Sequence, residues 1–197
     1  MNKILFCLTF FTTIEISAED FKVTYPADLP NEAIEISHDE NGELLRVTVN
    51  RWTDRVKTDE GMAYRTFEQG YDYSKKQGFI YTFDENDNKI GEAWSADIDG
   101  MVTREELMVA FDLFKNNETV KNHFSETDMQ IILHGGFNFQ DNSECNAGNR
   151  CVHVFASTDK VAILAHSIVR LSDSTVVYPD FDMDKEAWKN GKRRGMK

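Results

Sequence analysis

Thr103-Arg104-Glu105-Glu106 has the form of a capping box. The Thr hydroxyl accepts the amide hydrogen three residues on, and the Glu side chain reaches back to the Thr amide. The residues that follow, Leu107 to Phe114, are Leu, Met, Val, Ala, Phe, Asp, Leu and Phe. Apolar side chains cover most of the circumference instead of one stripe, so a helix over 104–115 must be buried on several sides. Asn116-Asn117 ends it, and Glu118 to Phe124 gives a further short helical turn. Beyond this, 130–139, 151–158, 161–171 and 175–178 are strand segments, each bounded by Gly, Asn, Asp or Ser. Such a cylinder followed by strands predicts an α+β fold: an antiparallel β-sheet packed around one central apolar helix, with N-terminal hairpins before it and a β-meander after it.

Ahead of the helix, Phe21 to Tyr25 is a short strand stopped by Pro26 and Pro30. Asn41-Gly42 is a two-residue hairpin signal that pairs His38 with Leu45, Ile36 with Val47 and Ile34 with Val49 on one face. Trp52 to Glu60 is polar and reads as a connection. From Met62 to Trp94 aromatic residues accumulate, and 78–83, a polar loop 84–88 and 89–94 form a second hairpin. An aromatic-rich sheet serves either as a ligand platform for sugars or peptides or as cross-strand packing.

Residues 1–18 contain one early cation (Lys3), an apolar run from Ile4 to Phe11 and a small residue at Ala18, the layout of a secretory signal peptide. The run is too short to span a bilayer, so no membrane span is expected after its removal. About 180 residues then remain, enough for a single α+β domain over 19–188. Cys7 departs with the signal. Cys145 and Cys151 are left as an even pair, which in a periplasmic or secreted protein predicts one disulfide. The net charge of −12 excludes a phosphate-backbone partner and hence nucleic acid. The exception is the last nine residues, 189–197, a basic tail whose five Lys and Arg leave −17 on the rest.

Three constellations bear on chemistry. Ser95 to Glu106 resembles an EF-hand calcium loop, with Asp97 and Asp99 at the third and fifth positions, Gly100 at the sixth and Glu106 at the bidentate twelfth. It departs from that pattern at Ser95, where Asp is expected, and a hairpin arm stands in place of an entering helix; a capping box and a turn explain the same residues. Asp180, Asp182 and Asp184 alternate but have no twelfth-position carboxylate after them. His134, His153 and His166 fall in three different strand segments. If Asp159-Lys160 is a two-residue turn, His153 lies opposite His166, and His134 completes a row of nitrogen ligands suited to Zn2+ or Cu2+. Histidines hydrogen-bonded at the edge of a core are the competing reading. Gly135, Gly136 and Phe137, with Asn149 and Arg150 beside the cysteine loop, form either a binding surface or a sheet bulge with a stapled loop.

No catalytic signature is present. There is no Gly-x-Ser-x-Gly elbow, and Ser157 or Ser167 beside a histidine makes a nucleophile only on paper. A helix opening with Thr-x-x-Glu and followed by antiparallel strands, over Val102 to Tyr178, resembles the cystatin-like arrangement, which also occurs in the N-terminal non-catalytic modules of copper amine oxidases. The resemblance is architectural, carries over no catalytic residue and implies inhibitor, transport or accessory roles. The expected function is therefore binding of an unknown protein or small-molecule ligand by an exported, non-enzymatic protein. A metal-binding protein holding Ca2+, Zn2+ or Cu2+ is the alternative, and a hydrolytic enzyme a distant third.

Overall fold

The computed structural model describes residues 23–26, 29–98, 100–124, 130–141, 143–146, 148–158 and 163–182. The proposed signal, residues 1–18, and the basic tail, 189–197, lie outside them. Among the described residues ten strands form two five-stranded sheets, and two α-helices follow the sixth strand in sequence.

The N-terminal sheet is a meander of β2 (Glu35–His38), β3 (Leu44–Thr58), β4 (Gly61–Asp72), β5 (Gln77–Phe83) and β6 (Lys89–Ser95) in that order. Two of its turns use one device. Asp39 closes the β2–β3 turn, its Oδ1 accepting from the Asn41 and Glu43 amides at 2.8 and 2.9 Å. Asp84 does the same in the β5–β6 turn, accepting from Asn86 and Asn88, both at 2.9 Å. The fourth residue of each loop has positive φ, +84° at Gly42 and +64° at Asp87. Asp, Asn and Gly are the residues such loops select. These amide bonds hold the Asp39 carboxyl below the usual aspartate range, and at Asp84 the Asn88 side-chain amide, with the backbone bonds behind it, does the same. The Asn41-Gly42 turn is thus longer than two residues. Ile36 faces Val47 as expected, but the register shifts after Ser37, so that His38 faces Leu44.

Trp52 to Glu60 is not a connection. It is mostly the outer half of β3, which pairs with β4 from Arg46↔Asp72 to Thr58↔Gly61. Among the described residues, β2 accompanies β3 only as far as Thr48, and β5 accompanies β4 only from Thr66 inward. The segment beyond is a two-stranded ribbon.

The C-terminal sheet has the order β1 (Val23–Thr24), β7 (Ile131–Phe139), β8 (Cys151–Thr158), β9 (Ile163–Arg170), β10 (Thr175–Tyr178). α1 (Arg104–Asn116) is opened by Thr103, whose capping box forms with both bonds present. Asn117 then caps α2 (Glu118–Phe124), accepting from the Thr119 amide at 3.0 Å. Leu107, Ala110, Phe111 and Phe114 of α1 pack with Leu133, Val152, Val154, Ala156 and Val169 of the sheet in one core. Val47, Tyr71 and Tyr73 join that core from the N-terminal sheet.

The expectation of one antiparallel sheet around one central helix needs three corrections. Among the described residues there are two α-helices and two sheets, and β1 runs parallel to β7, with Val23 beside Ile131. α1 is also not enclosed, because Val109 and Leu113 flank an open groove toward Thr175 and Val176.

Candidate functional site

Strand alternation divides the side chains of the C-terminal sheet between two faces. Val152, Val154 and Ala156 point to α1; Cys151, His153, Phe155 and Ser157 point away. On that second face a smaller core gathers Cys145, Cys151, Ile168 and Phe181, with Phe139, Val177 and Tyr178 against it.

The Cys145–Cys151 disulfide is formed, with the Cα atoms 5.8 Å apart. The chain leading into the loop it closes turns at Asp141, whose Oδ1 accepts from the Ser143 and Cys145 amides at 2.9 and 2.7 Å, the same device as at Asp39 and Asp84. Replacing both cysteines by serine lowers the unfolding free energy by about 2 kcal/mol, the chain-entropy contribution of so short a loop. Urea denaturation of the two proteins measures it.

The loop's end presents Arg150 inward. Arg150 is 4% exposed and Glu106 is 0% exposed. Arg150 Nε donates to Glu106 Oε1 at 2.6 Å and Nη2 to Oε2 at 3.1 Å. The Tyr73 hydroxyl also donates to Oε1, and the Thr103 amide donates to Oε2 at 2.8 Å. Arg150 further donates to the carbonyls of Gly100 at 3.2 Å and Met101 at 2.9 Å. Burial disfavours the Glu106 carboxylate, but the Arg150 charge and these bonds outweigh it and hold its pKa below the usual value. Burial pushes the Tyr73 hydroxyl well up, and Tyr71, which donates to the Gly148 carbonyl, up to about 12. The cluster ties the disulfide loop, the start of α1 and the N-terminal sheet together.

This geometry bears directly on the calcium loop. Both oxygens of Glu106 are committed inside the protein, so it is not free to act as the bidentate twelfth ligand. Asp97 is exposed, with its amide bonded to Ser95 Oγ at 3.1 Å, and Asp99 lies outside the described residues. Asp180 and Asp182 are exposed, while Asp184 also lies outside.

The expected binding surface divides in the same way. Gly135 and Gly136 form a bulge in β7, with φ +95° at Gly136, and Phe137 beside them is 67% exposed. Arg150 is buried against Glu106, and Asn149 is bonded within its own loop to Glu144 and Asn146. These five residues do not make one surface.

The histidines share a face, but not in the expected register. His153 stands opposite Ile168, and His166 opposite Phe155, a slip of two residues from the pairing set by a turn at 159–160. An even slip preserves the face of every side chain. His153 Nδ1 and His166 Nε2 consequently meet diagonally at 2.9 Å. His134 is on the far side of Phe155, its Nε2 at 3.1 Å from Ser157 Oγ, and does not join the pair. Burial lowers the pKa of His153; burial together with the neighbouring His153 lowers that of His166 to about 4. Among the described residues no group of three His, Cys, Asp or Glu side chains converges as a metal site.

No family model, curated protein or solved structure matches this chain. The functional reading therefore rests on the molecule's own geometry. Among the described residues no helix is long and apolar enough to cross a membrane.

The ribbon at the tip of β3 and β4 escaped the sequence reading. One of its faces carries Arg55 opposite Tyr64 and Lys57 opposite Met62, with Thr53 and Thr66 bonded hydroxyl to hydroxyl at 3.0 Å. Tyr64 is 58% and Met62 53% exposed. The other face carries Trp52 stacked on Phe67 at 5.4 Å and Val56 opposite Ala63. The signal that identifies it is the β-branched and aromatic content at alternate positions on both sides of Asp59-Glu60-Gly61.

Proposed function

We propose that the protein is an exported, non-enzymatic binding module that takes an extended acidic segment of a partner protein onto the β3–β4 ribbon. The observation that carries this is the run of ribbon beyond Thr66, where neither strand has a third strand beside it among the described residues. A two-stranded hairpin is marginal in water by itself, and open strand edges invite pairing with another chain. Strand addition supplies backbone hydrogen bonds and leaves specificity to alternate side chains. Here those are Arg55 and Lys57, beside the exposed Tyr64 and Met62, a cationic and apolar face on a chain of net charge −12. Export is supported by the signal-like residues 1–18 and by the disulfide. The order α1, α2, β7 to β10 supports a cystatin-like arrangement of that half, with no residue role attached.

Fluorescence anisotropy tests the reading with an alternating Glu/Val octapeptide and its Lys/Val counterpart. The acidic peptide binds, the basic one does not, and Arg55→Glu/Lys57→Glu weakens binding at least about tenfold, or 1.4 kcal/mol. Equal binding of both peptides, or none, refutes it. Preferential binding to anionic vesicles, or ribbon-dependent dimers in sedimentation, also overturns it in favour of a lipid surface or a second copy.

A further inference from the structure

We infer that His153 and His166 form a two-imidazole site for a late first-row divalent ion such as Cu2+ or Zn2+, open to exchangeable ligands at its remaining positions. Imidazole nitrogen is a preferred donor for these ions. His153 Nδ1 and His166 Nε2 face one another at 2.9 Å, with no other hydrogen-bond partner for either atom among the described residues. Two nitrogens bound at about 2.0–2.1 Å to a tetrahedral ion stand about 3.3 Å apart. To admit one, the two rings need to separate by about half an ångström and to tilt so that both lone pairs converge on the ion instead of lying along the line between the nitrogens.

The surroundings fix the rings without filling their coordination. Phe155 stacks on His166 at 4.0 Å between centroids, and Phe139 and Phe181 meet His153 and His166 edge-on at 5.1 and 5.0 Å. Both histidines are half-buried, so one side of the pair stays open to solvent. In the present state one ring donates its N–H to the lone pair of the other. On binding, that proton moves through solvent to the donor ring's other nitrogen, so that both facing nitrogens present lone pairs; no oxidant or reductant takes part.

With no third convergent ligand among the described residues, the site is open and of modest affinity, unlike a closed structural zinc centre. It is independent of the ribbon, on the other sheet.

Titration of the mature chain with Zn2+ by calorimetry, and with Cu2+ by electron paramagnetic resonance, tests the assignment. The expected result is one ion per chain, a Cu2+ spectrum with two imidazole nitrogens, and at least about tenfold weaker binding in His153→Ala and in His166→Ala. His134→Ala leaves binding unchanged. Should either pair variant fail to fold, the wild type still decides, because trace Cu2+ then broadens the ring resonances of His153 and His166 before those of His38 and His123. Binding that survives the pair variants, broadening that favours other histidines, or no binding overturns it.

Discussion

Arg150→Met lowers the unfolding free energy by about 3–5 kcal/mol at neutral pH, because it leaves an uncompensated carboxylate where no water reaches. Glu106 loses the two guanidinium bonds, and the Gly100 and Met101 carbonyls lose their donors. Replacing both members, Glu106→Gln with Arg150→Met, recovers much of the loss, since a neutral amide needs no counter-charge. Urea denaturation of the single and double variants measures this. An Arg150→Met protein as stable as the wild type would show the ion pair to be dispensable.

The same pair has a pH signature. In the wild type the folded pKa of Glu106 lies below its ordinary 4.5, so its contribution is present above pH 4.5 and is lost as pH falls through the folded value. In Arg150→Met, burial without a cation raises that pKa above the unfolded one, so protonation favours the folded state. The gap between the two proteins is therefore widest near pH 7 and narrows by pH 4.

Phe111→Ala costs about 3–5 kcal/mol, the usual range for deleting a buried aromatic ring. Phe111 is fully buried in α1 and stacks on Tyr25 at 5.5 Å. Tyr25 follows β1, which among the described residues pairs with β7 through Val23 and Thr24. The void also removes the ring on which Tyr25 stacks, one of the contacts that hold β1, so amide exchange at Val23 and Thr24 quickens more than exchange in β8. Tyr25→Ala costs less, because that ring is 38% exposed. Chemical denaturation with hydrogen exchange separates the two effects, and unchanged exchange at β1 refutes the anchoring.

What could be read from residues alone follows the rule that periodicity reports burial. α1 and the strands over 151–158 and 175–178 stand where pattern placed them, because each has a buried face that its spacing encodes. β3 beyond Asn50 was misread for the complementary reason. One face of the ribbon is exposed and the other only half-buried, so its alternation rests on Trp52 and Val56 and is diluted by Asp54, Arg55 and Lys57, which makes Thr53 to Thr58 look like loop. The pairing of β8 with β9 stands two residues away from the register of a two-residue turn, and an even slip keeps both histidines on one face. The Glu106–Arg150 pair joins positions 44 residues apart. Its one local clue was a carboxylate one turn before Ala110, on the side of α1 that faces the core. A charge there requires a cation, and nothing nearby in sequence says which.

The length of the ribbon settles a further question of electrostatics. Five residue pairs, from Asp54↔Arg65 to Thr58↔Gly61, lie beyond the last row shared with β5. At about 3.4 Å per residue they carry the tip about 17 Å outward. Ionic screening at physiological salt decays over about 8 Å. A negatively charged segment laid beside Lys57 is thus more than one screening length from the last shared row, so the charges that act on it most are the ribbon's own: Arg55 and Lys57 on that face, with Asp59 and Glu60 in the turn.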